Sequence, residues 1–215
     1  MTINSHPSEA TLLAYAAGTL PAGASLALAA HLGFCKACRK PIAAWEGAAG
    51  TLLDSLPDCE MAENALAEAM ARVSETQGPA KRAVPPKPKL SGIDLPPALL
   101  AAGIGKRRWI APGIWRMGVP AASHAPAETY LLRLGAGRRI PFHGHGGSEM
   151  ICVLKGSFSD ASGRYQAGDF VEIDEATEHQ PLAGPEGECI CIIASESPPR
   201  MHGLIGWFLK SLAGG

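Results

Sequence analysis

Aromatic residues are scarce in this 215-residue sequence, 6% against 47% hydrophobic overall. Its cores must therefore be aliphatic and alanine-rich, and a composition this apolar is that of a globular chain, not a disordered one. The opening MTINSHPSEA has no basic start followed by an apolar run, so no secretory leader is expected. No long hydrophobic run exists either: the most apolar stretch, residues 20–32, contains Pro21 and Gly23 and is too short to span a bilayer. These two absences predict a cytoplasmic protein without a membrane anchor. In that compartment the six cysteines are expected as metal ligands or redox thiols, not as structural disulfides. No internal repeat is present.

A strong net charge is missing too, but the formal −1 conceals an uneven spread. Residues 1–75 carry four Lys/Arg against eight Asp/Glu, residues 76–110 seven against one, and residues 111–215 eight against eleven. The acidic first part would repel nucleic acid, which argues against direct DNA binding, and it suits a basic protein partner. The basic middle includes Pro79, Pro85, Pro86, Pro88, Pro96 and Pro97. Proline lacks the amide donor and forces its predecessor into extended geometry, so neither a helix nor an inner strand runs through 76–97. The reading is a helical domain at 1–75, a linker at 76–107, a β domain at 108–195 and a tail at 196–215.

The first domain reads as four short helices. Ser8 caps one that runs through Leu12, Leu13 and Tyr15 to a stop near Gly18. Pro21 opens a second that contains residues 25–31. A third is expected after Cys38, carrying Ile42, Trp45, Leu52, Leu53 and Leu56. The fourth, 60–73, spaces Leu66, Met70 and Val73 for one apolar stripe that, with Met61, is most simply bundle core, although part of it could face a partner. Such a small bundle buries little surface and often depends on a metal or a partner. Beyond the linker, short β segments at 128–134, 149–154, 170–173 and 188–193 alternate with glycine-containing turns, the pattern of a sandwich or barrel. The stretch 204–212 reads as a terminal helix or a last strand.

Two groups of residues carry metal chemistry. His31, Cys35 and Cys38 form H-x3-C-x2-C, with His31 and Cys35 one helical turn apart. Three such donors suit tetrahedral zinc, which needs a fourth. The candidates are His6 and Cys59, and His6 is favoured because the first helix can fold back to bring it near. Zinc held by two His and two Cys is a closed structural site. The second group is Gly137-x5-His143-x-His145-x3-Glu149-x6-Gly156. His143 and His145 lie two apart on a strand and share a face, Glu149 returns on the neighbouring strand, and His179 follows Gly168-Asp169. Three imidazoles and a carboxylate bind Zn, Fe, Mn or Ni. Cys189 and Cys191 share one face of a late strand and are a candidate redox pair, although small core residues are the commoner explanation. Cys152 reads as strand packing, Cys59 as passive, and His124 and His202 as surface or loop residues.

The first motif resembles the zinc-binding anti-sigma domain, a small helical bundle whose fourth ligand is an upstream histidine, matching His6. The second resembles the first motif of the cupin superfamily. The second cupin motif follows with departures: Asp174 stands at the usual proline and Ala176 at the usual glycine, and alanine resists the positive φ that glycine permits. The order of the two, joined by a proline-rich linker, is similar to the ChrR-type anti-sigma factors. That resemblance implies a four-helix zinc bundle and a jelly-roll cupin, two zinc ions per chain, and a 1:1 heterodimer with an extracytoplasmic-function sigma factor. It also implies release on singlet oxygen or organic hydroperoxide stress, with the cupin domain needed for the response, and no enzymatic activity. The competing reading is a metal-dependent cupin enzyme, a dioxygenase or isomerase, with an N-terminal regulatory domain.

Overall fold

The computed structural model of the chain describes residues 2–75, 90, 92 and 95–201. The proline-rich basic stretch 76–89, His202 and the expected tail element at 204–212 lie outside the described residues.

Four helices open the chain: α1 (Glu9–Ala16), α2 (Ala22–Phe34), α3 (Lys36–Asp54) and α4 (Ala65–Glu75). Ser8 has extended backbone geometry, and its Oγ accepts a hydrogen bond from the Thr11 amide, satisfying one of the first-turn donors of α1. α3 begins at Lys36, not after Cys38 as its sequence suggests. Cys35 closes α2, and its sulfur accepts from the Cys38 amide at 3.4 Å, so a cysteine fills the capping role. α4 begins at Ala65, later than residue 60. Its stripe is not bundle core: Leu66, Met70 and Val73 are exposed, as are Leu52 and Leu53 at the end of α3 and Leu56 just beyond it.

α2 is apolar nearly all round and is buried accordingly, from Gly23 through His31. One side meets α3, which in turn packs on α1, and the other lies on a β-sheet. That sheet has six antiparallel strands in the order β1 (Arg107–Ala111), β2 (Ile114–Gly118), β3 (Glu128–Leu134), β10 (Cys189–Ser195), β5 (Glu149–Lys155) and β8 (Phe170–Ile173). A second layer is formed by β6 (Ser157–Asp160), flanked by β7 (Gly163–Gln166) and β9 (Leu182–Ala183). A short pair joins β4 (His143–Gly144) to β11 (Arg200–Met201), so part of the expected tail is paired.

Period-2 alternation explains why the runs ICVL and CICII carry no polar residues. From β5 and β10, Ile151, Val153, Cys191 and Ile193 face the inside of the sandwich. Cys152, Leu154, Ile190 and Ile192 face the other way and share one apolar cluster with Leu12, Leu26, Leu28 and Ile42 of the helices. The sheet is therefore buried on both faces. Gly23 marks the closest approach of α2: a Cβ there would collide with Thr129 Oγ1 and crowd the Ala122 carbonyl. Residues 97–102, which the proline pattern places in the linker, form α5 (Pro97–Ala102). Its Leu99 is fully buried in the same cluster as Leu90 and Leu95.

Candidate metal centres

The first group is gathered from two helices and an extended arm. His31 lies in the last turn of α2, Cys35 at the α2–α3 junction and Cys38 in the first turn of α3. The arm preceding α1 brings His6 to them; Cys59 is exposed and does not join the group. His6 Nδ1 stands 3.5 Å from Cys35 Sγ and 3.3 Å from Cys38 Sγ, and His31 Nε2 stands 3.4 Å from Cys38 Sγ. A tetrahedral zinc with ordinary Zn–S and Zn–N bonds separates such donors by about 3.6 Å. His31 Nδ1 lies 2.7 Å from the Gly168 carbonyl, so its N–H donates there and the lone pair of Nε2 faces the cluster. Burial pushes the Cys38 thiol up to about 12, with its hydrogen bond to Cys35 adding to the rise. Burial likewise lowers the His31 pKa, against the Gly168 hydrogen bond that raises it. A buried Cys38 thiol that ionises so reluctantly gains from a cation beside it, which favours the thiolate a metal needs.

The second group lies inside the sandwich. β4 carries His143 and leads directly to His145, and a bridge joins His143 to His179 through two backbone hydrogen bonds of 3.1 and 2.9 Å. Glu149 opens β5, opposite Ser195 on β10 and Ile173 on β8. His179 Nε2 is 3.2 Å from both His143 Nε2 and His145 Nε2, and Glu149 Oε2 is 3.7 Å from His145 Nε2 and 3.9 Å from His179 Nε2. Donors about 2.05 Å from a tetrahedral metal would be about 3.4 Å apart. All four side chains are buried. His143 donates from Nδ1 to the Pro141 carbonyl at 2.9 Å and His179 from Nδ1 to Asp160 at 3.0 Å, which fixes both tautomers with Nε2 inward. His145 Nδ1 is buried without a hydrogen-bond partner.

The electrostatics of this group favour a bound cation. Burial pushes the Glu149 carboxyl up to about 8. Burial, and then the neighbouring His143 and His179, depress His145 to about 4. Imidazoles that stay neutral suit metal ligation, and a carboxylate otherwise disfavoured by burial gains from a divalent ion. The turn before His179, which lacks the usual proline and glycine, is held by Asp174 instead. Asp174 Oδ1 accepts from the Ala176 amide at 3.1 Å and from the Thr177 hydroxyl at 2.6 Å, a side-chain-capped turn. The motif's last glycine is required: Gly156 has φ +70°, and a Cβ there would run into the Glu188 carbonyl.

Cys189 and Cys191 both lie on β10 with sulfurs 3.6 Å apart, buried and reduced. The hydrogen bond shared with Cys189, followed by burial, holds the Cys191 thiol well above its ordinary pKa. Cys152 lies on the opposite, helix-facing side of the sheet, and His124 is exposed. All eight residues that the structure gathers into the two groups stand in the motifs or were named beside them. Asp160 and Gly168 were not readable as the partners of His179 and His31, because no local spacing ties them to those histidines, whereas Pro141 lies two residues before His143 inside the motif.

A helical His2Cys2 cluster seated on a β-sandwich with a three-histidine, one-glutamate centre defines a two-centre protein of helical and cupin-like parts. Residues 102–197 match the family model of the ChrR cupin-like domain. The chain is 36% identical over 214 residues to the anti-sigma-E factor ChrR of Cereibacter sphaeroides, with 95% of each chain covered. It is also similar to a chain in the crystal structure of Rhodobacter sphaeroides SigE in complex with the anti-sigma ChrR. There the TM-score is 0.74 and the identity 33%, over 90% of this chain and 99% of that one. The chain belongs to the ChrR family of anti-sigma factors.

Proposed function

We propose that this chain sequesters an extracytoplasmic-function sigma factor as a 1:1 heterodimer in the cytoplasm, and that it does so without touching DNA. The observation that carries this reading is the apolar face left open on the helices. Leu52, Leu53, Leu56, Met61, Leu66, Met70 and Val73 are each more than half exposed. Two consecutive helices presenting so much apolar surface form a partner site. The acidic balance of residues 1–75 favours a basic partner. The relative of known structure is itself a complex of an anti-sigma factor with SigE. Among the described residues no helix is long and apolar enough to cross a membrane, in keeping with a partner met in solution.

Each centre holds one zinc in this reading. His6, His31, Cys35 and Cys38 fix the angle between α2 and α3 and so the direction in which the open face is presented. His143, His145, Glu149 and His179 form the sensing site, with Cys189 and Cys191 nearby as thiols that a signal can oxidise. Singlet oxygen or an organic hydroperoxide is the signal, and the sigma factor is freed by its action. We read the chain as a regulator rather than an enzyme. The space beside the cupin-type donors is about 40 Å³, lined by Tyr130, Leu132, Ile151 and Phe158 among others. That admits a few molecules the size of water or dioxygen and not a diketone or quinol.

The test is co-expression of the full chain with its sigma factor and a sigma-dependent reporter. The parent chain represses the reporter, and Leu66→Glu with Met70→Glu relieves repression at least tenfold while zinc content stays unchanged. Full repression by the doubly charged variant would refute the assignment of this face.

A further inference from the structure

Two of the four donors in the helical centre are placed by the β-sandwich, not by the helices that carry the motif. His31 is held by the hydrogen bond from its Nδ1 to the Gly168 carbonyl. His6 lies on an arm, residues 2–8, that is strapped to the sandwich on both sides of it. Before His6, the amides of Asn4 and Ser5 donate to Asp169 Oδ1 at 2.8 and 3.1 Å, the Phe170 amide donates to the Ser5 carbonyl at 3.0 Å, and Ser5 Oγ donates to the Phe170 carbonyl at 2.6 Å. After His6, the Ser8 amide donates to Glu172 at 3.1 Å. Asp169 is fully buried, and its second oxygen accepts from the Gln166 amide at 2.8 Å, so its carboxylate joins the sandwich turn to the arm. Gly168 has φ +92°, and a Cβ there would press on Ile3 and Phe34, so the turn admits the arm and the end of α2 because it carries no side chain.

We propose that the Gly168-Asp169 turn is the positioning element of the N-terminal zinc centre, so that zinc affinity there depends on the state of the sandwich. The proposal rests on the reading that His6, His31, Cys35 and Cys38 hold zinc. Its physical basis is that carbonyl and carboxylate partners of a ligating imidazole set its orientation and basicity, and their loss typically costs 10–100-fold in metal affinity. The same strand extends the link towards the other centre. β8 takes the arm along Phe170 and pairs on its other side with β5, setting Ile173 against Glu149 and Phe170 against Cys152. A shift of β8 caused at Glu149 therefore moves the support of His6 and His31. By thermodynamic reciprocity, zinc in the helical centre must tighten the pairing of the arm with β8.

The experiment uses the full chain loaded with cobalt, since a thiolate-to-cobalt charge-transfer band reports only the cysteine-bearing centre. Zinc displaces the cobalt, and the competition gives the affinity. Gly168→Ala and Asp169→Asn should each weaken that centre about 10–100-fold while the metal content of the cupin-type centre stays constant. Ser5→Pro, which changes no residue of the sandwich but removes the arm's bonds from Ser5 to Asp169 and to the Phe170 carbonyl, should do the same and covers the case in which the turn variants fail to fold. In a second readout, amide exchange at Phe170 should slow on zinc addition in the parent and not in Cys38→Ser. Unchanged affinity in Ser5→Pro, or exchange at Phe170 indifferent to zinc, overturns the coupling with the zinc reading intact. A parent chain with no thiolate–cobalt band overturns the zinc reading and the coupling with it.

Discussion

Every histidine placed against a donor cluster has two nitrogens, and what happens at the outer one decides what the inner one can do. For His31, His143 and His179 the outer Nδ1 is engaged by the Gly168 carbonyl, the Pro141 carbonyl and Asp160. In the neutral ring each Nε2 lone pair is therefore turned toward the cluster. The donors themselves follow from spacing rules that a single sequence displays. The orienting partners of His31 and His179 do not, because Gly168 is 137 positions from His31 and Asp160 is 19 from His179. A second residue-scale feature lies at Glu188, which takes Arg133 at 2.9 Å and Lys155 at 3.0 Å with its side chain 18% exposed. Burial alone would raise its pKa, but hydrogen bonds from Lys155 and Arg133 outweigh burial and the net direction is down. A depressed folded pKa contributes stability above the unfolded value near 4.5 and loses it as pH falls through the folded one. Glu188→Gln should therefore cost about 1–2 kcal/mol at pH 7 in urea unfolding, after allowance for the half-exposed lysine. The deficit should narrow below pH ~4.5. Metal loss in acid affects both proteins and cancels in the difference. A deficit that does not change with pH would contradict this account.

At the scale of elements, the sequence was most legible where periodicity and capping agree. Ser8 does cap α1, and the expected segments 128–134 and 170–173 are strands β3 and β8. It was least legible where a third body decides burial. The stripe Leu66, Met70 and Val73 has perfect helical spacing, yet periodicity says only that one face is apolar, not what covers it. The runs in β5 and β10 likewise announce burial on both faces without naming α2 as the cover. α5 was hidden by its own composition, since Pro96 and Pro97 both end an extended segment and start a helix. The element-scale prediction concerns Gly23, where α2 comes closest to the sheet. Gly23→Leu forces a branched side chain against Thr129 and should cost about 1–3 kcal/mol. Its signature is a lowered melting temperature of the full chain. An unchanged melting temperature would mean that α2 does not rest on the sheet as described.

As a whole molecule the chain brings its helical and β parts into one shared core. Leu12, Leu28 and Ile42 of the helices share one apolar cluster with Leu131, Cys152 and Ile192 of the sandwich. Charge and proline content mark a boundary in the sequence, but they carry no information on whether the bodies on either side touch. That they touch gives a signal at the cupin-type centre a mechanical route to the helices, and the helices leave an apolar face for a partner. The direct measurement is light scattering on a size-exclusion column with the full chain and the purified extracytoplasmic-function sigma factor of its own cell. The account predicts a single 1:1 species that the sigma factor leaves when the complex is exposed to singlet oxygen. Two separate peaks before any exposure would contradict it.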